Sequence, residues 1–80
     1  MKHHNQAFGK ALKEQRLKRG KTQESLAFDT NLARNYISLL ELGQRSPTLD
    51  TIMAISKALQ IPSSELLAHV EEILATDAST

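Results

Sequence analysis

Apolar residues recur along this chain every three or four positions, the spacing that lines one face of an α-helix. Five such segments are separated by short polar turns, and none shows the alternation of apolar and polar residues typical of a β-strand. The predicted inward positions are Phe8, Leu12, Gln15 and Arg16; Leu26 and Ala27; Leu32, Ile37 and Leu40; Leu49, Ile52, Ile55 and Leu59; and Leu66, Leu67, Val70, Ile73 and Leu74. The pattern therefore predicts an all-α bundle of five helices.

Turn and capping residues predict where these helices begin and end. Glycine and asparagine adopt left-handed conformations readily, and a threonine hydroxyl can accept a hydrogen bond from the free amides of a first helical turn. We expect left-handed turn residues at Gly20, Asn31 and Gly43, N-caps at Thr22 and Thr48, a third helix from about Ala33 to Leu42, and a fifth helix after Pro62.

A length of 80 residues predicts one domain, with a core over about 8–67, a helical extension over 68–75 and a frayed tail over 76–80. The chain has no cysteine, which excludes disulfides and thiolate metal sites. It has neither an apolar run long enough to span a membrane nor the apolar stretch of a signal peptide at its start. We therefore expect a soluble protein of the cytoplasm.

The net charge of +1 conceals an uneven distribution. Residues 1–45 carry nine lysines and arginines against four acidic residues, a net charge of +5. Residues 46–80 carry one lysine against five acidic residues, a net charge of −4. This asymmetry indicates either that one end of the molecule faces a polyanion or that it carries a solvated basic helix.

The segment from Thr22 to Leu42 predicts two helices joined by a turn of only three or four residues. Helices joined in this way cross steeply, which requires a small residue at their contact, and Ala27 lies at that point. Such a unit can present its second helix to the major groove of DNA, which is just wide enough to admit a helix.

Several motifs in and around this segment carry a resemblance to a known family. They are Thr22-Gln23-Glu24-Ser25-Leu26-Ala27, Asn35-Tyr36-Ile37-Ser38, Glu41 and Gly43, Arg45-Ser46-Pro47-Thr48-Leu49, and Ala58-Leu59. Over roughly residues 8–67 the chain resembles the Xre or lambda-repressor-like helix-turn-helix family, and within it restriction–modification controller proteins and small phage-type repressors. The resemblance implies a five-helix DNA-binding domain whose second and third helices form the helix-turn-helix.

The resemblance also implies roles for individual residues. The exposed start and middle of the third helix would read base edges, through Ala33, Arg34, Asn35, Ser38 and Leu39. Phosphate contacts are implied for Gln23, which would also brace the third helix, and for Tyr36 and Arg45. Arg16 and Glu41 match a pair that forms a buried salt bridge between the first and third helices.

For some of these residues more than one role fits. Arg34 has the donors to bind guanine and Asn35 the groups to bind adenine, but each could also be a solvated or locally bonded side chain. Tyr36 could donate to phosphate or pack against the core. Leu39 and Leu42 stand where the family usually has polar or basic residues. Leu39 could contact a thymine methyl group, or the two leucines could bind a partner protein.

The apolar stripe of the fifth helix continues beyond the common family core, through Val70, Ile73 and Leu74. It could fold back onto the first helix or form a twofold dimer interface together with Ile61. Because so small a core gains from association, we expect the dimer interface. A dimer of this fold would bind two half-sites one helical turn apart.

The sequence gives little support to a catalytic or metal-binding function. No nucleophile, base and orienting group are recognisably grouped, and His3, His4 and His69 lack a third ligand at suitable spacing. We therefore expect neither an enzyme nor a metal, cofactor or small-molecule site. The leading hypothesis is a homodimeric transcriptional regulator that binds a palindromic operator in double-stranded DNA. The alternative is a protein-interaction or antitoxin-type module that uses the Leu39/Leu42 surface.

Overall fold

In the computed structural model, residues 3–78 form five helices joined by short turns, and the last two of these residues are described by their backbone alone. The helices are α1 (His3–Lys18), α2 (Gln23–Thr30), α3 (Arg34–Glu41), α4 (Leu49–Leu59) and α5 (Ser63–Ala78). Residues 3–78 contain no strand. The predicted all-α class with five helices is confirmed.

The helix ends follow the predicted turn and capping chemistry. The hydroxyls of Thr22 and Thr48 each accept a hydrogen bond from the backbone amide three residues later, at 3.0 and 3.1 Å. Gly20, Asn31 and Gly43 have φ angles of 69°, 59° and 75°, in the left-handed region. These local signals, which depend only on neighbouring residues, therefore divide the chain at the predicted places.

The core lies where α1 crosses the other helices. Helix α1 packs along α5 and against α3, α2 packs against α3 and α4, and α4 also packs against α5. The buried apolar residues are Ala7, Phe8, Ala11, Leu12, Leu26, Ala27, Ile37, Leu40, Ile55, Leu59, Ile61, Leu66 and Val70. Burial begins before the expected core boundary at residue 8, because Asn5 and Ala7 are already inside.

Helix α4 differs from the predicted apolar stripe at its first turn. Ile55 and Leu59 are fully buried and Ile52 is partly buried, but the side chain of Leu49 is 70% exposed. Leu49 is the first residue of the helix, directly after its N-cap Thr48. The predicted helical spacing is therefore correct, but Leu49, the first residue of the apolar stripe, lies beyond the edge of the core.

Helix α5 packs back along α1, which was one of the two arrangements considered for its apolar stripe. Ile61 and Val70 are buried in the core of their own chain, and Ile73 and Leu74 are partly buried against it. A side chain buried within its own chain has little surface left for a partner. The dimer interface expected for Ile61 and Val70 stays a prediction, with little exposed surface on either side chain to supply it.

The end of α5 also differs from the prediction. The helix continues to Ala78, and the hydroxyl of Thr76 donates to the carbonyl of Glu72 at 3.0 Å. The helix therefore extends past the expected end at residue 75, the fraying expected from residue 76 stays a prediction, and residues 79–80 of that tail lie outside the described residues.

Candidate nucleic-acid interface

The turn between α2 and α3 sets the angle at which α3 leaves the core. Asn31 is left-handed, which lets the next amide donate to the carbonyl of Ala27 at 3.0 Å. Leu26 and Ala27 on α2, together with Ile37 and Leu40 on α3, are buried. Because the inner faces of both helices are packed, the core determines how the opposite face of α3 is presented to solvent.

Helix α1 supports α3 from behind through a close backbone contact. A Cβ atom added at Gly9 would lie 2.5 Å from the carbonyl oxygen of Leu40 and 2.6 Å from that of Glu41. Only a residue without a side chain permits this approach. A Cβ atom at Gly43 would similarly lie 2.9 Å from Cγ of Gln6. The C-terminal end of α3 therefore rests directly on α1.

A buried ion pair joins the same two helices. Arg16 donates to Glu41 from Nε to Oε2 at 2.6 Å and from Nη2 to Oε1 at 3.1 Å. A third donor, Nη1, binds the carbonyl of Lys21 at 2.8 Å. The side chains of Arg16 and Glu41 are only 9% and 5% exposed. The pair implied by the resemblance is thus present, and its two-point geometry holds α3 against α1.

Gln23 extends this network to the exposed face of α3. Its Nε2 donates to Glu41 Oε1 at 3.0 Å, and its Oε1 accepts a hydrogen bond from Arg34 Nη1 at 3.0 Å. An ionised carboxylate can only accept, so Glu41 orients the amide with its oxygen toward Arg34. A continuous series of hydrogen bonds therefore runs from the buried Arg16 to the exposed Arg34.

The five residues expected to read bases lie at the start and middle of α3. Ala33, Arg34 and Asn35 are exposed, whereas Ser38 and Leu39 are partly buried. Ala33 is the N-cap and supplies no capping side-chain hydrogen bond. Asn35 forms no side-chain hydrogen bond with residues 3–76, so the local bond considered for it is absent from this part of the chain. Arg34 and Asn35 are therefore adjacent polar side chains that face solvent.

Two of the residues expected to contact phosphate lie farther along the chain. The ring of Tyr36 packs against the core, and its hydroxyl lies 3.5 Å from Oγ1 of Thr51. Arg45 is exposed in the loop between α3 and α4. The core packing considered for Tyr36 is therefore present, with its hydroxyl directed to the first turn of α4.

An open groove of about 600 Å³ adjoins Arg34 and Gln23. It lies between the end of α1 and the capped start of α2, and Lys21 and Thr22 contribute to its lining. Backbone amides at a helix N-terminus and nearby cationic side chains both favour an anion. Lys21 is also paired with Asp29, at 2.7 Å between Nζ and Oδ2. The acidic Glu24 also lines the groove, so groups that favour an anion and one that disfavours it meet at the edge of α3.

Two large apolar side chains on α2 and at the end of α3 are strongly exposed. Phe28 is 86% exposed and Leu42 is 62% exposed, while Leu39 is partly buried. The sequence analysis identified the leucines but missed Phe28. The exposure of Phe28 could have been predicted, because this residue directly follows the inward-facing Leu26 and Ala27 on a helix of only eight residues.

A second exposed apolar surface lies on α4 and α5. Leu49, Met53 and Leu67 are 70%, 53% and 40% exposed. Leu49 and Met53 are one turn apart on α4, and Ser63 Oγ on α5 lies 3.2 Å from Met53 Sδ, one turn before Leu67. With the partly buried Ile52, these residues form the α4–α5 apolar face. The sequence analysis had assigned Leu49 and Leu67 to the core.

His69, on α5, contacts two side chains of α1. His69 Nε2 lies 2.7 Å from Glu14 Oε1, and its Nδ1 lies 3.4 Å from Gln15 Nε2. Among the described side chains, those of residues 3–76, no three histidine, cysteine, aspartate or glutamate residues are grouped so that they could hold a metal ion. None of the helices in this part of the chain has the length and apolar content required to cross a membrane.

The chain is similar in sequence and in structure to several known proteins. A family model described as helix-turn-helix matches residues 12–66. Control protein C.BamHI of Bacillus amyloliquefaciens is 46% identical over 61 residues, which cover 75% of each chain. The solved restriction-modification controller protein C.AhdI from Aeromonas hydrophila is 40% identical with a TM-score of 0.76, covering 78% of this chain and 94% of that one.

A third relative has been solved as a tetramer with its natural 35 base-pair operator. This is the restriction-modification controller protein C.Esp1396I, with 30% identity, a TM-score of 0.79 and coverage of 86% of this chain and 91% of that one. Other structures of the same protein carry single substitutions of an arginine, of a tyrosine two residues later, and of an arginine eleven residues after the first. Arg34, Tyr36 and Arg45 have this same spacing.

Proposed function

Because this chain belongs to the helix-turn-helix family, we propose that it is a transcriptional regulator that binds double-stranded DNA sequence-specifically as a homodimer. Helix α3 enters the major groove, and each half of a palindromic operator meets one copy of the chain. Regulation follows from occupancy, since a dimer bound at a promoter either blocks or recruits the polymerase.

The observation that carries this proposal is the support of Arg34. Its guanidinium is bound by Gln23, which is held by the buried Arg16–Glu41 pair. A side chain oriented before binding loses less conformational entropy when it binds. An arginine at the start of a recognition helix can bind guanine O6 and N7 with two donors, which is worth about 1–3 kcal/mol of discrimination.

The other site residues divide into base readers and phosphate contacts. Asn35 has the groups to pair with adenine, and Leu39 offers an apolar contact for a thymine methyl group. Ala33 and Ser38 complete the surface that faces the bases. Gln23, Tyr36 and Arg45 contact phosphates, with Gln23 at the edge of the groove beside the α2 N-terminus.

Binding of duplex DNA at increasing salt tests this function. Preferred sites are first selected from random duplexes, and affinities are then measured between 50 and 200 mM salt, a range over which about 6–10 phosphate contacts reduce affinity roughly 10³–10⁵-fold. We expect Arg34→Ala and Asn35→Ala each to lose discrimination at particular base pairs. Arg45→Ala should instead weaken all sequences and lower the salt slope by about one.

A matched control is Lys13→Ala, which removes an exposed cation of α1 that is assigned no DNA contact. It should leave sequence preference unchanged. If no sequence is preferred by the wild-type chain, or if the Arg34 and Asn35 variants behave like the Lys13 variant, the proposed function is wrong.

The homodimer is supported by the α4–α5 apolar face and by the oligomeric operator complex of a relative. Leu49, Met53 and Leu67 are solvent-exposed on the half of the chain that carries net negative charge, where DNA is disfavoured. Leu74, two helical turns after Leu67 on α5 and partly buried, extends this interface, whereas Ile73 lines the cleft between α5 and Lys10 and Glu14 of α1. Sedimentation equilibrium should show that Leu67→Ser raises the dimer dissociation constant, while Phe28→Ser, on the other half, does not.

A second candidate function is favoured by the exposure of Leu42. A protein-interaction or antitoxin-type module would use Leu39 and Leu42 to cover a partner surface. The double variant Leu39→Ser/Leu42→Ser separates the two functions. Unchanged affinity for the selected operator would exclude these leucines from the DNA contact and support the protein surface.

A further inference from the structure

We propose that Phe28 and the α2 surface around it join two operator-bound dimers of this chain that lie end to end on one DNA molecule. The inference rests on the proposed function, because it requires a homodimer bound to its operator, but it concerns a different surface from the α4–α5 apolar face. The partner is a second copy of this chain, and the contact makes binding at neighbouring operators cooperative.

The first observation is the exposure of two large apolar side chains at one end of the molecule. Phe28 is 86% exposed, more than any other large apolar residue among residues 3–76, and Leu17 is 58% exposed. Leu17 lines the same groove as Glu24, which lies one helical turn before Phe28 on α2. We call Leu17, Glu24, Phe28 and the adjacent Asp29 the outer α2 surface. Exposed apolar side chains that share a surface are typical of interaction sites.

The second observation is the distance of this end from the α4–α5 apolar face. The first turns of α1 lie beside that face, because Asn5 and Phe8 line a pocket together with Leu67. The last turn of α1 lies beside the start of α2, because Leu17 and Glu24 line one groove. From Asn5 to Leu17 the helix axis extends about 18 Å. In a dimer joined through the α4–α5 apolar face, the outer α2 surface therefore points away from the twofold axis, toward the next protein on the DNA.

The third observation is that two such dimers would meet on DNA of a length bound by a relative. The C.Esp1396I complex contains a tetramer and 35 base pairs, which at about 3.4 Å per base pair gives each of two dimers about 60 Å of DNA. The backbone of this chain measures 36 × 22 × 22 Å, and half-sites lie about 34–36 Å apart, so a dimer extends about 56–72 Å. Two dimers of this chain on such a length of DNA would touch at their outer ends.

The charges around Phe28 suit contact with an identical surface. Asp29 directly follows Phe28 and pairs with Lys21, at 2.7 Å between Oδ2 and Nζ. Two dimers related by a twofold axis on the DNA bring the same patch of each against the other. A patch with an apolar centre and both signs of charge at its rim is complementary to its own copy. DNA is the less suitable occupant, because Glu24 and Asp29 repel phosphate.

Binding to DNA that carries two operators tests the proposal. The operator selected for the proposed function is placed twice on one duplex, with centres separated by about half of the 35 base pairs above, and once on a control duplex. Quantitative footprinting measures the affinity of each operator and the coupling between them. We expect the second dimer of the wild-type chain to bind about 5–150-fold more tightly than the first. Insertion of about 5 base pairs, half a helical turn, should abolish this gain because the dimers then lie on opposite faces of the DNA.

Two substitutions of the same residue separate an apolar contact from a general effect on the fold. Phe28→Ser should remove most of the coupling. It should leave the affinity for the single-operator duplex, the dimer dissociation constant in solution and the thermal midpoint unchanged, because the side chain is exposed and lies away from the α4–α5 apolar face. Phe28→Leu, the matched control, keeps an apolar side chain and should retain much of the coupling.

Other results would overturn the inference. If the wild-type chain occupies the two operators independently at every spacing, dimers do not touch on DNA. If coupling persists in Phe28→Ser, a different surface joins them. If Phe28→Ser instead lowers transcription by purified RNA polymerase from a promoter that carries one operator, the outer α2 surface binds the polymerase. Absence of specific binding to the single-operator duplex by the wild-type chain is a separate outcome, which refutes the proposed function and this inference together.

Discussion

The two halves of this small bundle use different interactions. In the half built from α1, α2 and α3, a charged pair is buried and linked by hydrogen bonds to an exposed arginine. In the half built from α4 and α5, the core is largely apolar, and the exposed side chains include Leu49, Met53 and Leu67. The first half carries a net charge of +5 through residue 45, and the remainder carries −4.

A chain of this size can thus use different parts for orienting a helix and for joining two copies. Directional interactions, such as a two-point ion pair, determine where α3 points, and a base reader requires that precision. Non-directional apolar burial is sufficient for joining two copies. Substitutions in each half should therefore alter different measurements.

The largest expected effect comes from removing one member of the buried pair. Glu41→Ala leaves the Arg16 guanidinium buried without its counter-charge, which should lower the free energy of unfolding by about 3–5 kcal/mol. The double variant Arg16→Met/Glu41→Leu should be less harmful than Glu41→Ala alone. Urea unfolding followed by circular dichroism measures both, with the exposed Glu65→Ala of α5 as a control expected within about 0.5 kcal/mol of wild type. A double variant as unstable as the single one would contradict this account.

The next effect concerns the backbone contact between α1 and α3. Gly9→Ala places a methyl group against the carbonyls of Leu40 and Glu41, which should cost about 1–3 kcal/mol and displace α3. Affinity for the selected operator should therefore fall at temperatures where the variant is folded. Gly20→Ala is the control, because its φ of 69° strains any other residue but its Cβ would meet nothing within 4 Å. Equal losses of operator affinity in both variants would show that α3 is not positioned by Gly9.

A smaller effect should follow from disconnecting Arg34 from the buried pair. Gln23→Met keeps the length of the side chain and removes both of its hydrogen bonds, so operator affinity should fall about tenfold, or 1.4 kcal/mol. The loss should be greatest for sequences that carry the base pair read by Arg34. Competition binding with single-base operator variants measures this, and Gln6→Met, the same substitution at an exposed glutamine of α1, serves as the control. A uniform loss across all sequences would mean that Gln23 acts only on phosphate.

The smallest effect compares the N-termini of α3 and α4, one helix from each half of the bundle. The N-cap of α4 is Thr48, which is bonded to its helix, whereas Ala33 of α3 provides no such bond. Ala33→Ser should therefore stabilise the chain by about 1 kcal/mol, and Thr48→Ala should destabilise it by a similar amount. Thermal unfolding measures both. No gain from Ala33→Ser would indicate that the amides at the start of α3 are already satisfied.

Much of the fold could be predicted because its signals are local. Helical spacing of apolar residues, the left-handed residues Gly20, Asn31 and Gly43, and the caps Thr22 and Thr48 depend on a few neighbouring positions each. The same holds for the exposed start of α3, where Arg34 and Asn35 follow from the register of the buried Ile37 and Leu40. The role of Gln23 and the Arg16–Glu41 pair came from the family resemblance, since residues so far apart in sequence carry no local signal.

The helices and their boundaries follow from the sequence alone, because they depend on periodicity and on the chemistry of short segments. Only the tertiary structure decided which apolar residues remain exposed. Leu49 and Leu67 share the helical spacing of core residues, yet they lie beyond the edge of the core, whereas Ile61 and Val70 are inside it. Burial depends on what packs across the bundle. That is a property of all five helices together, and it also left Asn5 buried beside an open pocket.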